Sequence, residues 1–230
     1  LSKNSLARLA WLNLTGNPLE KIYTGATNQD EKYPYLTELY IRQTNLSILT
    51  SKDFEMFPAL QNLYLSENHI NRISPGAFVT LGNLRILDLN RNVIEILPRE
   101  RLQGLYQLTK LNMSHNNLRD LEDFSQDLAL LKILDLSHNQ LAKVDKTTFD
   151  FLIGLKQLYL TSNYLNTIPM ESFKALRKLE WLEIKRNRFE TIPLKALKPL
   201  ETHIKHLWIA GKIFSVHLST MKLNPSDFFV

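Results

Sequence analysis

The sequence contains no cysteine among its 230 residues, so disulfide bonds, thiolate metal sites and a cysteine nucleophile are excluded. Glycine is scarce, at 7 residues, and no glycine-rich phosphate loop or serine nucleophile turn stands out. No run of about 18 apolar residues predicts a membrane-spanning helix, and the residues after Leu1 lack the order of a signal peptide. The remaining composition, 44% hydrophobic and 22% charged, is typical of a folded globular chain.

Positive charge is concentrated toward one end of the chain. The formal net charge is +5, yet residues 1–173 hold 17 basic and 18 acidic side chains. Residues 174–212 hold 10 basic and 4 acidic ones, so this tract carries the excess. A localised cationic tract attracts acidic proteins, glycans or membrane surfaces where its charges converge.

A repeat dominates the sequence. Apolar residues recur at offsets 0, 3, 5 and 10 of a unit with asparagine at offset 8, mostly every 24 residues. The copies begin at Leu9, Leu36, Leu60, Leu84, Leu108, Leu131, Leu155, Leu179 and Ile204. Eight are clear, and the ninth is decayed, with Lys212 in place of the asparagine and Phe214 at offset 10. A second apolar set follows 18 residues after the first leucine: Phe54, Phe78, Leu102, Phe149, Phe173 and Leu197.

Each copy predicts one short strand with a single buried face, because leucines at offsets 3 and 5 flank one polar position. One coil cannot bury its leucines alone, so the copies must stack with their strands paired in parallel. The asparagine at offset 8 is placed to satisfy backbone groups of its own coil and the next one. In this ladder Thr44 is a tolerable substitute and Lys212 a poor one. The polar stretch 23–35, which holds extra residues, predicts a surface loop.

The frame LxxLxLxxNxL, with phenylalanine near offset 18, resembles the leucine-rich-repeat family from Leu9 to about Phe214. The 24-residue variety is similar to Toll-like receptor ectodomains, adhesion proteins and secreted insect leucine-rich immune proteins. The resemblance implies an α/β fold: a right-handed solenoid with a parallel β-sheet on its concave face and loops and short helical turns on its convex face. Residues 1–230 then form one domain of about nine repeats (9–214), with 215–230 as a terminal segment or cap. Cysteine-containing caps of extracellular members are absent, so either the chain is an excised fragment or its ends close by other means.

Side chains at offsets 2, 4 and 6 are predicted to point out of the strands, so each coil places three on the concave face. Aromatic residues gather there near both ends of the stack. The predicted ligand-binding residues are Tyr40, Arg42, Tyr64, Tyr159, Trp181, Glu183, Lys185, His206 and Trp208. The later group is favoured and Trp181 is its strongest member, since exposed Trp, Tyr and Arg dominate interface energies. Trp11 and Trp208 are equally well explained as covers over an open end of the core.

Three weaker patterns bear on partners and chemistry. The basic residues between Lys174 and Lys198 offer a site for an anionic glycan or surface, although the frame spreads them over several faces. His115 and His138, one coil apart, form a candidate acid sensor, although Ser-His-Asn is common in this repeat. No metal site is predicted, because no third ligand or HExxH spacing accompanies them. Nucleic acid is not expected as a partner, because acidic residues interrupt the exposed columns.

Three glycosylation sequons begin at Asn13, Asn45 and Asn112, about as many as chance provides. Asn45 falls at the exposed turn after a strand. Asn13 and Asn112 would carry their sugars on the concave face, where part of the surface would then be covered.

The sequence therefore favours a non-enzymatic extracellular recognition module, secreted or part of a receptor ectodomain, that binds a protein or pathogen-derived ligand. The resemblance implies a role in innate immunity or cell adhesion. The alternative is an intracellular scaffold or adaptor, for which the missing cysteines and signal sequence speak. Enzymatic activity is not expected and no cofactor is predicted: Asp88 and Asp135 lie two coils, roughly 10 Å, apart, too far to share a proton.

Overall fold

The computed structural model describes residues 8–22 and 32–209, together with the backbone of residues 213–214. Its strands, in chain order, are β1 (Trp11–Asn13), β2 (Glu38–Tyr40), β3 (Ile48–Leu49), β4 (Asn62–Tyr64), β5 (Arg72–Ile73), β6 (Ile86–Asp88), β7 (Lys110–Asn112), β8 (Ile133–Asp135), β9 (Gln157–Tyr159), β10 (Trp181–Glu183), β11 (His206–Trp208) and β12 (Ile213–Phe214). Helical structure within these residues is limited to α1 (Leu194–Leu197) and the 3-10 turns Arg99–Leu102, Gln126–Leu128 and Lys198–Leu200.

One ten-stranded sheet runs along the molecule in the order β1-β2-β4-β6-β7-β8-β9-β10-β11-β12. Its first nine strands are parallel, and the register pairs equivalent positions of successive copies, as in Leu12 with Leu39 and Leu39 with Leu63. The strands β3 and β5 form a second, two-stranded parallel sheet. The predicted solenoid, with a parallel sheet on one side and turns and short helices elsewhere, is therefore confirmed.

The decayed ninth copy departs from the frame after its strand. β11 pairs with β10 in the expected register, with His206 opposite Trp181. β12 then pairs with β11 in the antiparallel direction, with Phe214 opposite Leu207, which no regular copy does. Residues 23–31, most of the predicted loop, lie outside the described residues, as do Lys212 and the predicted terminal segment 215–230.

The core is one continuous cluster of buried apolar side chains from Leu36 to Ile209. The predicted spine is present, since Phe54 and Phe78 stack with ring centroids 5.8 Å apart and are fully buried. It has a member that the period misses: Phe124 lies only 16 residues after Leu108, yet it is buried and stacks on Phe149 at 6.2 Å. The copy that begins at Leu108 has 23 residues, so the segment between its strand and its spine residue is shorter, yet the Phe124 ring still packs in the spine.

The asparagine ladder forms as predicted, and each regular asparagine bonds both its own coil and the preceding one. In each regular coil the amide nitrogen of the asparagine donates to the carbonyl at offset 5 of its own copy and of the preceding copy. Asn139 Nδ2, for example, donates to Leu136 O at 3.1 Å and to Met113 O at 2.9 Å, while its Oδ1 accepts the Leu118 amide at 3.0 Å. The Thr44 side chain has no amide nitrogen: its hydroxyl donates onward to Asn68 Oδ1 at 2.6 Å and accepts the Leu46 amide at 3.4 Å. Asn17, in the first coil, bonds only its own Leu14 carbonyl within the described residues.

The residue before each ladder asparagine adopts a left-handed backbone. Positive φ values of 52° to 58° occur at Gln43, Glu67, Arg91, His115, His138, Ser162 and Arg186. Such values normally favour glycine, because a Cβ meets the following carbonyl. The tight turn out of the strand requires this conformation, and it projects a side chain from the strand-end edge of every regular coil.

Candidate functional site

The sheet face is formed by the side chains at offsets 2 and 4, which flank the buried leucine at offset 3 in every strand. The side chains at offset 6 lie beside those at offset 4, as predicted, but most of them are buried in the middle of the stack. Four side chains at offset 6 are buried: Ser66, Ser114, Ser137 and Thr161. The chain begins its turn at this position, and the small hydroxyl side chains pack against the side chains at offset 4. Ser114 Oγ, for example, donates to Asn112 Oδ1 at 2.8 Å.

At one end of the sheet face, aromatic rings form a ladder across three adjacent strands. Tyr40 and Tyr64 stack with centroids 4.4 Å apart and planes 10° apart. Trp11 packs on Tyr40 at 5.7 Å and remains 52% exposed. The Arg42 guanidinium lies over both tyrosines, 4.8 Å from the Tyr64 ring and 5.4 Å from the Tyr40 ring. We call Trp11, Tyr40, Arg42 and Tyr64 the tyrosine patch.

Acidic groups hold the tyrosine patch in place. Arg42 reaches Asp88, two coils away, at 3.8 Å, and the Tyr40 hydroxyl donates to Glu38 at 3.0 Å. Burial raises the pKa of Tyr64 above its ordinary value, with smaller contributions from Tyr40 and Glu38 that Arg42 partly opposes. Arg42 Nε is buried and has no hydrogen-bond partner among the described residues. No pattern in the sequence indicated Asp88 as the partner of Arg42.

The other end of the sheet face carries a second cluster, the tryptophan patch, formed by Trp181, Glu183, Lys185, His206 and Trp208. The Trp181 and His206 rings lie 4.4 Å apart, and the Lys185 ammonium sits 3.4 Å from the centre of the Trp208 ring. Glu183 links the group: it accepts the Trp181 indole N–H at 3.0 Å and lies 3.8 Å from Lys185. The structure thus brings together five residues that the sequence predicted as neighbours on one face.

Tyr159 borders the tryptophan patch from the preceding strand. Its hydroxyl donates to Gln157 at 3.1 Å, and it lies in register with Glu183. Burial raises the pKa of Tyr159, and the Glu183 and Asp135 carboxylates raise it further, so the phenol stays protonated and available as a donor. Trp208 Nε1 is buried and has no partner within the described part of the chain.

The middle of the sheet face separates the two patches. It presents Ile86, Lys110 and Ile133 at offset 2, none of them aromatic. Asp88 and Asp135 lie two strands apart, with Asn112 between them in the register, as the repeat predicts. No group of three or more His, Asp or Glu side chains in the described residues is arranged to hold a metal ion.

The predicted histidine pair forms at the strand-end edge. The His115 and His138 rings stack in parallel, 4.2 Å apart with planes 6° apart. Burial lowers the pKa of His115, and His138 and Arg91 lower it further, while Asp135 partly opposes them. Both rings are exposed, and they are the only stacked imidazoles in the described ranges.

We expect His115 to titrate below its ordinary value of about 6.5. Because the unfolded chain binds this proton first, the stability linked to His115 is complete above about pH 6.5 and is lost as the pH falls toward the folded-state pKa. Heteronuclear NMR titration measures the midpoint. His138→Gln should raise it partway, since burial is the larger cause, and His69→Gln should leave it unchanged. A midpoint at or above 6.5 in the unmodified protein contradicts this account.

The structure places the three sequons differently. Asn45 is exposed at the turn after β2. Asn13 and Asn112 lie on the sheet face, and each side-chain oxygen accepts the amide two residues later, from Thr15 at 2.9 Å and Ser114 at 3.0 Å. A sugar on Asn112 would stand between the two aromatic patches.

The basic residues of 174–198 do not form one surface. Lys185 is on the sheet face, whereas Arg188 lies at the strand-end edge with its guanidinium 4.0 Å from the Tyr164 ring. Arg177 and Lys178 line grooves beside the starts of the strands. Lys195 and Lys198 belong to α1 and the 3-10 turn that follows it. The frame predicted this dispersal.

The comparisons with known proteins agree with the repeat. The "Leucine rich repeat" family matches residues 58–118 and 129–189. Among curated relatives, podocan-like protein 1 of Mus musculus is 42% identical over 80 residues, 34% of this chain and 14% of that protein. Fibromodulin of Sus scrofa is 40% identical over 62 residues, 27% of this chain and 42% of that protein. Toll-like receptor 5 of Mus musculus is 54% identical over 41 residues, 18% of this chain and 5% of that protein. The chain thus spans less than half the length of each of these relatives.

Two solved structures share the fold over most of the chain. The TLR13–ssRNA13 complex superposes with a TM-score of 0.79 at 26% identity, covering 90% of this chain and 30% of that one. A leucine-rich-repeat protein of Leptospira interrogans gives a TM-score of 0.71 at 27% identity, covering 89% and 56%. None of the helices in the described residues has the length and hydropathy to cross a membrane. Since the family matches together span more than half of the sequence and the strands stack with the same period, the chain belongs to the leucine rich repeat family.

Proposed function

We propose that this chain is a non-enzymatic recognition module that works outside the cell and binds a protein partner through its sheet face. The observation that carries the proposal is the tryptophan patch: partly exposed aromatic rings of which Trp181 has its indole N–H bonded to Glu183 and Trp208 lies against the Lys185 ammonium. The tyrosine patch at the other end of the face serves as a second contact. We further propose that this binding serves innate immunity or cell adhesion.

Two physical properties make these patches suitable for binding. Tryptophan, tyrosine and arginine supply most of the binding energy at protein interfaces, where truncating a central one costs about 2 kcal/mol or more. The rings are also fixed before any ligand arrives, because Glu183 holds the Trp181 indole and Lys185 covers Trp208. A fixed contact surface loses less conformational entropy on association than a mobile one.

The relatives support the extracellular part of the proposal, and the sequons provide a way to test it. Toll-like receptor 5 and fibromodulin are similar to this chain over part of its repeats. Asn45 is exposed at the turn after β2, and we propose that it carries an N-linked sugar. Sugars on Asn13 or Asn112 would border the tyrosine patch or fill the gap between the patches, leaving the tryptophan patch open.

The test is a binding screen with the 230-residue chain, secreted from animal cells as a fusion to an antibody Fc. Mass spectrometry of the secreted protein reports the sugar on Asn45. The fusion is then screened against an array of extracellular protein ectodomains, and the affinity for each protein that binds is measured. We expect Trp181→Ala to weaken binding on the order of thirtyfold, which corresponds to about 2 kcal/mol.

The matched control is Phe151→Ala, which removes an exposed aromatic ring outside the sheet face and should change the affinity less than about twofold. Circular dichroism checks that both variants remain folded. Equal affinities for Trp181→Ala and the unmodified chain, with every binding protein, would falsify the assignment of the tryptophan patch. Retention of the chain in the cells without any sugar would count against its extracellular location.

A further inference from the structure

A column of three lysines and one glutamate lies at the edge of the sheet where the strands begin. The residue just before each strand is Lys132, Lys156, Glu180 and Lys205 in β8 to β11. Backbone hydrogen bonds connect these positions directly, from Lys156 N to Lys132 O at 2.8 Å, Glu180 N to Lys156 O at 2.9 Å and Lys205 N to Glu180 O at 2.9 Å. Successive members are therefore one strand spacing, about 4.8 Å, apart along the backbone.

Two grooves beside this column gather further cations. The first, of about 460 Å³, is lined by Lys156, Arg177, Lys178 and Lys205 together with Glu180 and Glu201. The second, of about 640 Å³, shares Arg177 and Lys178 and adds Lys174 and the acidic Asp150. Arg177 and Lys178 thus face both grooves. We call Lys132, Lys156, Lys174, Arg177, Lys178 and Lys205 the lysine edge.

The positive charge of the lysine edge is only partly neutralised. Glu180 accepts a hydrogen bond from Lys205 Nζ at 2.9 Å, and this contact lowers the pKa of the Glu180 carboxyl. Lys174 pairs with Glu171 at 3.4 Å. Within the described residues, Lys132, Lys156, Arg177 and Lys178 form no ion pair, and all four are exposed. Lys156 acts on the Glu180 carboxylate at longer range, but none of the four cations has a carboxylate of the described residues within ion-pair distance, and such a set on one edge favours a polyanion.

We propose that the lysine edge binds a sulfated glycan chain. A polymer with a charge on successive units matches a column in which exposed cations recur along neighbouring coils, and an arginine fork can hold a sulfate oxygen pair as it holds a phosphate. No tryptophan, tyrosine or phenylalanine lines either groove, and the one imidazole there, His203, is bonded to the Leu176 carbonyl, so the grooves lack a row of rings on which the bases of a single-stranded nucleic acid could stack. Charge alone is what this edge offers, and a sulfated glycan needs no more.

This site goes beyond the proposed function, because it lies at the edge of the sheet and not on its face. The tyrosine and tryptophan patches are built from offsets 2, 4 and 6, whereas the column occupies offset 1. A protein bound to the sheet face therefore leaves the lysine edge free. One consequence is that the same molecule holds a glycan and a protein partner together.

The test measures the affinity of the full chain for heparin by surface plasmon resonance at about 150 mM salt. The variant Lys156→Ser/Arg177→Ser/Lys178→Ser removes three charges from the lysine edge. The control Lys52→Ser/Arg72→Ser/Lys143→Ser removes the same three charges from exposed positions in other coils. We expect the edge variant to bind heparin about tenfold more weakly or worse, the control to change less than about threefold, and higher salt to weaken binding.

Other probes decide the ligand class. Desulfated heparin should bind about tenfold more weakly than heparin, and Trp181→Ala should leave heparin affinity unchanged, so failure of this proposal is distinguishable from failure of the sheet-face proposal. Equal losses in the two triple variants would mean that net charge alone attracts heparin and would overturn the site. Tighter binding of a single-stranded RNA or of anionic lipid vesicles than of heparin, lost in the edge variant, would overturn the glycan assignment.

Discussion

Asn139→Ala should lower the free energy of unfolding by about 3 kcal/mol. The substitution leaves the Leu118 amide, which donates only to Asn139 Oδ1 among the described contacts, buried without a partner. The two carbonyls that Asn139 serves suffer less, because Met113 O also accepts from Asn116 and Leu136 O also accepts from Asn163. One orphaned donor and two lost hydrogen bonds together account for the expected size. Urea denaturation followed by circular dichroism measures it.

Asn17→Ala is the matched control for this change. Asn17 is exposed in the first coil and bonds only the Leu14 carbonyl, so we expect a loss below about 1 kcal/mol. Similar losses at Asn17 and Asn139 would show that the ladder contributes through turn preference alone and not through the bonds between coils.

Phe149→Ala should cost about 4 kcal/mol, in the range for a buried ring whose site cannot collapse. Phe149 is fully buried and is stacked on both sides, 6.2 Å from Phe124 and 6.0 Å from Phe173. Because each neighbouring ring belongs to a different coil, the cavity lies between three stacked units and backbone relaxation cannot fill it. The same urea titration gives the change.

Phe151→Ala provides the comparison within the same coil. Its ring is 46% exposed, so truncation should change the free energy of unfolding by less than about 0.5 kcal/mol. If Phe149→Ala changed the free energy of unfolding by as little, the phenylalanine spine would contribute little to stability and the leucine core alone would hold the coils together.

Sequence periodicity predicted the fold because every coil repeats the same physical requirement. Leucines at offsets 3 and 5 need a neighbouring coil to cover them, and the strand register follows directly from the copy spacing. The spacing could not place Phe124, because the shortened copy shifts it from offset 18 to offset 16 while its ring still reaches the spine. It also did not indicate that the side chains of Ser66 and Ser137, at offset 6, are buried.

The sequence predicted which side chains lie on the sheet face, but it did not predict which of them contact one another. Offsets 2 and 4 placed Trp181, Tyr40 and Tyr64 on one face, as the structure has them. The pairing of Arg42 with Asp88 spans two coils and depends on side-chain reach, which the frame does not specify. The lysine edge was missed for a related reason: Lys132 and Lys156 lie outside the basic tract in sequence, and only stacking brings Lys156 beside Arg177 and Lys132 next to Lys156.

The seven left-handed turn residues offer an unusual way to map the strand-end edge by mutation. When an alanine replacement weakens binding, the loss of a side-chain contact is ordinarily hard to separate from a loss of fold stability. At Arg91 or Arg186, glycine removes the side chain and relieves a backbone conformation that costs an L residue about 1 kcal/mol. Its greater entropy in the unfolded chain offsets part of that gain. Any loss of binding after such a replacement therefore reports the missing side chain itself, and the edge can be surveyed coil by coil without weakening the stack.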